Sequence, residues 1–133
     1  MSTETPTRGP DVTPLTRLID QTMVDHYATA ARDPNPIHRD TVEAREGPYG
    51  QPIAHGMLVL ALISEAMTET FGEHWAATGE LSVRWRAPAI PPVTVTASAN
   101  ITDIQNGRVH YFVRCTSADG VLLLDGTASV ELA

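Results

Sequence analysis

The sequence predicts an α+β fold, with one antiparallel sheet curled around one buried helix. Three observations carry this. Every side chain from 57 to 63 is apolar, and a helix that is apolar all round is normally buried on all sides. The second half of the chain alternates apolar and polar residues with a period of two, which marks strands with one buried face. Asn106-Gly107 and Asp119-Gly120 fall between such stretches and favour tight hairpins.

Residues 1–12, MSTETPTRGPDV, are polar and contain Pro and Gly, so they read as a flexible leader ahead of a single domain over 13–133. Residues 15–19 suit a short first strand. Thr22 looks like an N-cap, with Asp25 completing a capping box, so a helix is expected over 23–31. It must stop near Arg32, because Pro34 and Pro36 cannot continue it. Asp40 with Glu43 repeats the capping signature and predicts a second short helix over 41–45. Gly47, Pro48, Gly50 and Pro52 mark a loop. Gly56 opens a longer helix reaching about Phe71, with Gly72 as its C′ residue.

Four strands follow. Leu81, Val83 and Trp85 face one way and are assigned to the core, while Ser82, Arg84 and Arg86 face the other. Val93, Val95, Ala97, Ala99 and Ile101 form the next apolar face. Val109, Tyr111, Val113 and Cys115 form another, and Leu122, Leu124, Ala128, Val130 and Leu132 the last.

Composition narrows the function. A length of 133 residues with 42% apolar content suits one soluble domain. The apolar run at 57–63 is too short to cross a bilayer, and the N-terminus lacks a secretory pattern, so a soluble cytoplasmic protein is expected. The net charge of −7 argues against a nucleic-acid partner but leaves room for an anionic carrier such as coenzyme A, held by local arginines. All nine basic residues are arginine, so no lysine Schiff base can form. Cys115 is the only cysteine, which rules out an intramolecular disulfide and a Cys-rich metal site. Inside the strand-like run VHYFVRC it reads as a small buried hydrophobe.

The polar residues that stand out are Asp33, Asn35, His38, His55 and Ser64. Asp33 and His38 flank Pro34-Asn35-Pro36, a stiff turn that would fix a carboxylate against an imidazole. Such a pair offers a base and an acid near neutral pH. His55-Gly56 starts the apolar helix, where backbone N–H groups lack intrahelical acceptors and suit a developing oxyanion. Gly56 has no side chain, which lets a carbonyl approach its N–H. Ser64 lies eight residues on, roughly two turns along the same helix. Taken singly, each has a plainer reading: Asp33 as a turn residue, His38 as structural, His55 as a cap or buried hydrogen-bonded ring, Ser64 as bonded to a carbonyl one turn back. Asp33, His38 and His55 also offer metal-ligand types, but no known ligand spacing matches, so no metal is expected.

The strings YATAARDPNPIHRD and PIAHGMLVLALIS resemble the MaoC-like family, which includes (R)-specific enoyl-CoA hydratases and 3-hydroxyacyl-carrier-protein dehydratases. The family pattern falls on Asp33, Asn35, Pro36, Ile37, His38 and Asp40, then on Ile53, His55, Gly56 and Met57. The resemblance implies a hotdog fold, a homodimer and an acyl-CoA or acyl-carrier-protein thioester as substrate. It implies Asp33 and His38 as the catalytic pair, Gly56 as the oxyanion donor, Asn35 as loop support and Ser64 as a residue orienting the aspartate. No cofactor is implied, because the thioester itself activates the chain.

Some positions depart from the pattern. Arg32 stands where the family often has Ser or Gly, and Pro88-Ala89-Ile90-Pro91-Pro92-Val93 lacks the usual Gly-Asp pair. Arg84 and Arg86 flank Trp85 and read as solvated. These departures leave room for a pathway-specific dehydratase of a carrier-bound polyketide or other specialised intermediate; a partner subunit of a heteromeric dehydratase is a further alternative, disfavoured because such partners commonly lose the Asp/His pair that this chain retains. A thioesterase is disfavoured, since Glu65 and Glu69 lie toward the polar end of the long helix.

Overall fold

The computed structural model describes residues 9–132. The chain runs β1 (Leu15–Ile19), α1 (Gln21–Ala31), a 3₁₀ turn (Pro36–His38), α2 (Val42–Glu46), α3 (Gly56–Phe71) and α4 (Glu73–Thr78). Then come β2 (Glu80–Trp85), β3 (Val93–Gln105), β4 (Arg108–Ser117) and β5 (Leu122–Glu131). The strands pair antiparallel in the order β1-β3-β4-β5-β2. This is the expected α+β plan.

α3 packs on β1, β3 and β4. It buries Val59, Leu62, Ile63, Ala66 and Met67. The sheet answers with Val95, Ala97, Val109, Tyr111, Val113, Cys115 and Leu124, all fully buried. Each buried Val, Leu, Ile or Met among them is worth about 1.5–3 kcal/mol when removed from water. Packing therefore anchors the helix more firmly than its own propensity does. Cys115 belongs to this core, and burial pushes its thiol up to about 12. A thiol that stays protonated is a poor nucleophile, in keeping with its reading as a buried hydrophobe.

The burial of α3 is one-sided. Met57 is 54% exposed and Ala61 is also exposed, because the sheet covers only one flank of the helix. The apolar run therefore does not imply burial on every side. Trp85, assigned to the core by alternation, is 52% exposed. It ends β2, the edge strand, where no further strand covers it.

Two caps differ from expectation. Asp20, not Thr22, caps α1, accepting the Met23 N–H at 2.8 Å. Ile19 is fully buried as the last residue of β1, so the chain must turn at once and the helix starts early. Thr41, not Asp40, caps α2, and Asp40 pairs with Arg45 instead. α4 was not expected: Gly72, at φ 59°, ends α3 and lets a short helix fold back, burying Trp75.

The hairpin turns separate the two Gly signals. Asn106 and Gly107 both have positive φ, 54° and 74°, as a two-residue type I′ turn requires. At Asp119-Gly120 only the glycine does, and the loop closes through a Ser117 N–H donated to the Val121 carbonyl. Gly126 pairs with Val83 where β5 runs beside β2, and a methyl there would come within 1.9 Å of the Ser82 carbonyl oxygen.

Of the expected leader, residues 1–8 lie outside the described residues. Residues 9–12 are packed on the domain: Val12 is buried, and the Tyr111 hydroxyl donates to the Pro10 carbonyl. The packed region thus begins before residue 13, because β4 supplies both a donor and an apolar surface there. Among the described residues, no helix is long and apolar enough to cross a membrane.

Candidate active site

α1 ends at Arg32, whose φ of 55° is left-handed. A side chain with a Cβ adopts that region at a cost of about 1 kcal/mol, which is why Gly suits the position. The turn lets the Asp33 N–H donate to the Ala28 carbonyl at 2.9 Å and sends the chain away from the helix axis. Asn35 then caps the 3₁₀ turn, its Oδ1 accepting the Ile37 N–H at 3.2 Å. Asp33 Oδ1 accepts the Asn35 N–H at 3.4 Å. A proline-stiffened turn held by two side-chain acceptors thus carries Asp33 at one end and His38 at the other.

Backbone bonds tie this turn to the start of α3. The Ile53 N–H donates to the Ile37 carbonyl at 3.1 Å, while the Ala54 N–H ties the same segment to the chain after β2, donating to the Ala89 carbonyl at 2.8 Å. The His38 ring joins the same lacing, with Nδ1 2.8 Å from the Ile53 carbonyl. A carbonyl only accepts, so Nδ1 carries the hydrogen, and in the neutral ring Nε2 keeps its lone pair. His38 is buried, at 8% exposure.

His55, the N-cap of α3, is more deeply enclosed. Its ring stacks on His38 with centroids 3.7 Å apart, and Tyr27 tilts against it at 4.8 Å. Its Nε2 lies 3.3 Å from the Asp33 carbonyl and 3.8 Å from Asp33 Oδ2. Nε2 is therefore the donor, and Nδ1 has no partner among the described residues. Burial holds the His55 pKa below its ordinary value. The hydrogen bond to the Asp33 backbone opposes this, the neighbouring His38 adds to it, and the Asp33 charge opposes it again. His55 is thus a neutral ring bracing the Asp33 backbone, consistent with the structural reading.

The ligand-type atoms of Asp33, His38 and His55 all lie within 4.8 Å of one another. One nitrogen of each ring is committed to a carbonyl, His38 Nδ1 to Ile53 and His55 Nε2 to Asp33.

His38 and Gly56 open onto one cavity of about 350 Å³, lined also by Tyr49, Val59, Trp85, Arg86, Ala89 and Leu123. Gly56 is the first residue of α3, so its N–H has no intrahelical acceptor and carries the positive end of the helix dipole. Asp33 does not line the cavity, but its half-exposed carboxylate stands beside the His38 and His55 rings.

Ser64 is placed elsewhere. Eight residues advance a helix by about 12 Å and leave it roughly 80° past two full turns. Its Oγ accepts the Trp75 Nε1–H at 2.9 Å, so within this chain it braces α4 and does not meet Asp33. Glu65 is paired with Arg17, away from the cavity.

Tyr49, Trp85 and Arg86 were not marked as site residues by the sequence. Arg84 and Arg86 are both exposed, as read, and Arg86 also lines the cavity, with Nε 2.9 Å from Asp125 Oδ1. The signal for Trp85 was present, since alternation placed it on the inward face of β2. What alternation does not give is that the inward face of an edge strand, beyond the reach of the core, meets the start of α3.

A family model described as a MaoC like domain matches residues 2–119. An (R)-specific enoyl-CoA hydratase of Rhodospirillum rubrum is 28% identical over 118 residues, covering 87% of this chain and 81% of that protein. A 3-hydroxyacyl-thioester dehydratase Z of Mycobacterium tuberculosis is 33% identical over 105 residues, covering 74% and 70%. The fold matches an (R)-hydratase from A. caviae involved in PHA biosynthesis, with a TM-score of 0.80 at 22% identity over 99% of this chain and 100% of that one. That likeness makes the α+β plan described above a hotdog fold. With its paired motifs, its fold and these matches in agreement, the chain belongs to the MaoC-like family.

Proposed function

We propose that this protein is a hydro-lyase that reversibly hydrates a trans-2-enoyl thioester to a 3-hydroxyacyl thioester. The observation that carries the reading is the shared cavity: His38 and the start of α3 at Gly56 face it together, with the Asp33 carboxylate beside the imidazole. The relatives named as hydratase and dehydratase support the same reaction in its two directions.

In this reading the thioester oxygen lies against the Gly56 N–H. A water sits between His38 Nε2 and Asp33. As the water oxygen bonds to C3, the C2–C3 π pair moves toward the carbonyl and negative charge gathers on the thioester oxygen. The Gly56 N–H and the helix dipole stabilise that charge. His38 Nε2 takes the proton of the water, and Asp33 offsets the resulting imidazolium. A proton returned to C2 completes the addition and restores both side chains. Dehydration runs the same path backwards. No metal or cofactor is required by these steps, because the thioester conjugation supplies the activation. The uncovered apolar residues of α3, Met57 above all, support assembly as a homodimer, which the mass of the purified protein in solution tests.

The deciding experiment follows loss of enoyl absorbance with short, medium and long trans-2-enoyl-CoA and acyl-carrier-protein substrates. The native protein is expected to turn over at least one class. Asp33→Asn and His38→Ala are each expected to lower kcat by about 10²- to 10⁴-fold with an unchanged circular dichroism spectrum. Native-like turnover in both variants, or none by the native protein across the panel, overturns the proposal.

A further inference from the structure

The end of β2 brings a second hydrogen-bond donor to the start of α3. A methyl placed on Gly56 would lie 2.5 Å from Trp85 Nε1, 2.9 Å from Cε2 and 3.2 Å from Cδ1. The nearest atom is the polar one, so the N–H edge of the indole, rather than its benzene edge, faces the helix N-terminus. The indole is half exposed and lines the same cavity as His38 and Gly56. Among the described residues, none accepts its N–H. The other indole in the chain shows the contrast: Trp75 donates to Ser64 Oγ at 2.9 Å.

The space left by the missing side chain at Gly56 is therefore not simply open for a substrate. It is filled from one side by an indole edge with an unused donor. A carbonyl oxygen has two lone pairs, and an oxygen gathering enolate charge is best held by two fixed donors in a site shielded from water. We propose that Trp85 is a catalytic residue whose Nε1–H forms, with the Gly56 N–H, a two-donor cradle for the thioester oxygen. This rests on the hydratase reading given above and adds a donor to its oxyanion site. The indole also gives a reason for glycine at position 56, since a side chain there would displace the ring.

The test is Trp85→Phe, which keeps an aromatic ring and removes the donor. Two readouts are paired: hydration kinetics, and the infrared carbonyl stretch of ¹³C-carbonyl butyryl-CoA, a saturated thioester that binds without reacting. The expected result is a fall in kcat of about 10- to 100-fold with KM and butyryl-CoA affinity within about twofold. The bound carbonyl stretch should move to higher frequency in the variant as one donor is lost. An unchanged stretch overturns the proposal, whatever the kinetics. A kcat loss matched by an equal loss of butyryl-CoA affinity also overturns it, because that marks a packing role. If the native protein binds butyryl-CoA but hydrates no enoyl thioester, the hydratase reading fails while the stretch still decides the Trp85 contact. If butyryl-CoA does not bind, the saturated thioester matching the chain and carrier that the native protein turns over takes its place; if the native protein neither binds nor turns over any thioester of the panel, both fail.

Discussion

The imidazoles of His38 and His55 lie stacked, with centroids 3.7 Å apart and planes 23° from parallel. Each ring is fixed by a backbone carbonyl, His38 by Ile53 and His55 by Asp33. Two positive charges cannot share such a stack cheaply. His55 is the ring that stays neutral, because burial holds its pKa down.

This makes stability depend on pH in a defined direction. In the unfolded chain His55 titrates near its ordinary 6.5, whereas folded it binds a proton only at lower pH. Below about 6.5 the unfolded state holds more protons, so folding stability is intact above that pH and falls as the pH drops toward the folded value. Melting temperatures measured between pH 8 and 5 should fall less steeply for His55→Gln than for the native protein. Parallel curves would show that His55 does not carry the effect.

Asn35 should act through His38. Asn35→Ala removes the acceptor for the Ile37 N–H and should cost about 1 kcal/mol in urea unfolding. It should also lower kcat, because His38 closes the same three-residue turn. Asn35→Asp keeps an acceptor and should recover most of both losses. Equal behaviour of the two variants would contradict the capping role.

Ser64 distinguishes the chain's own geometry from the family pattern. Ser64→Ala leaves the part-buried Trp75 Nε1–H without its acceptor, a loss of about 1–2 kcal/mol. Because Ser64 meets α4 and not Asp33, kcat should stay within about twofold of native. A large fall in kcat with unchanged stability would place Ser64 at the aspartate after all.

Tyr111 fastens the first described residues to β4. Tyr111→Phe removes the hydrogen bond to Pro10 and should cost about 1 kcal/mol, with faster proteolysis around residues 9–12. Burial, helped by the charge of Asp11, pushes the Tyr111 phenol up to about 12. In a spectrophotometric titration it should therefore ionise well above the tyrosine value of about 10. A titration in which all three tyrosines ionise together near that value would refute the buried anchor.

Much of the site was legible in the sequence because its parts are local. Asp33, Asn35 and His38 sit on one turn whose geometry two prolines restrict, and Gly56 is marked by the apolar run that follows it. Ser64 and Trp85 were misplaced for one shared reason. Their partners, Trp75 and Gly56, lie 11 and 29 residues away in sequence, and no periodicity specifies contacts between different elements.

The sequence by itself determined the α+β order, the Asn106-Gly107 turn, the start of α3 and the residue types able to do acid–base chemistry. Period, proline and glycine act within a few residues, so their consequences can be read along the chain. Only the tertiary structure decided which His38 nitrogen is free, which caps start the first helices, which side of α3 stays uncovered and what fills the space beside Gly56. Those outcomes depend on close packing between distant segments, where one carbonyl or one indole edge determines what a side chain can do.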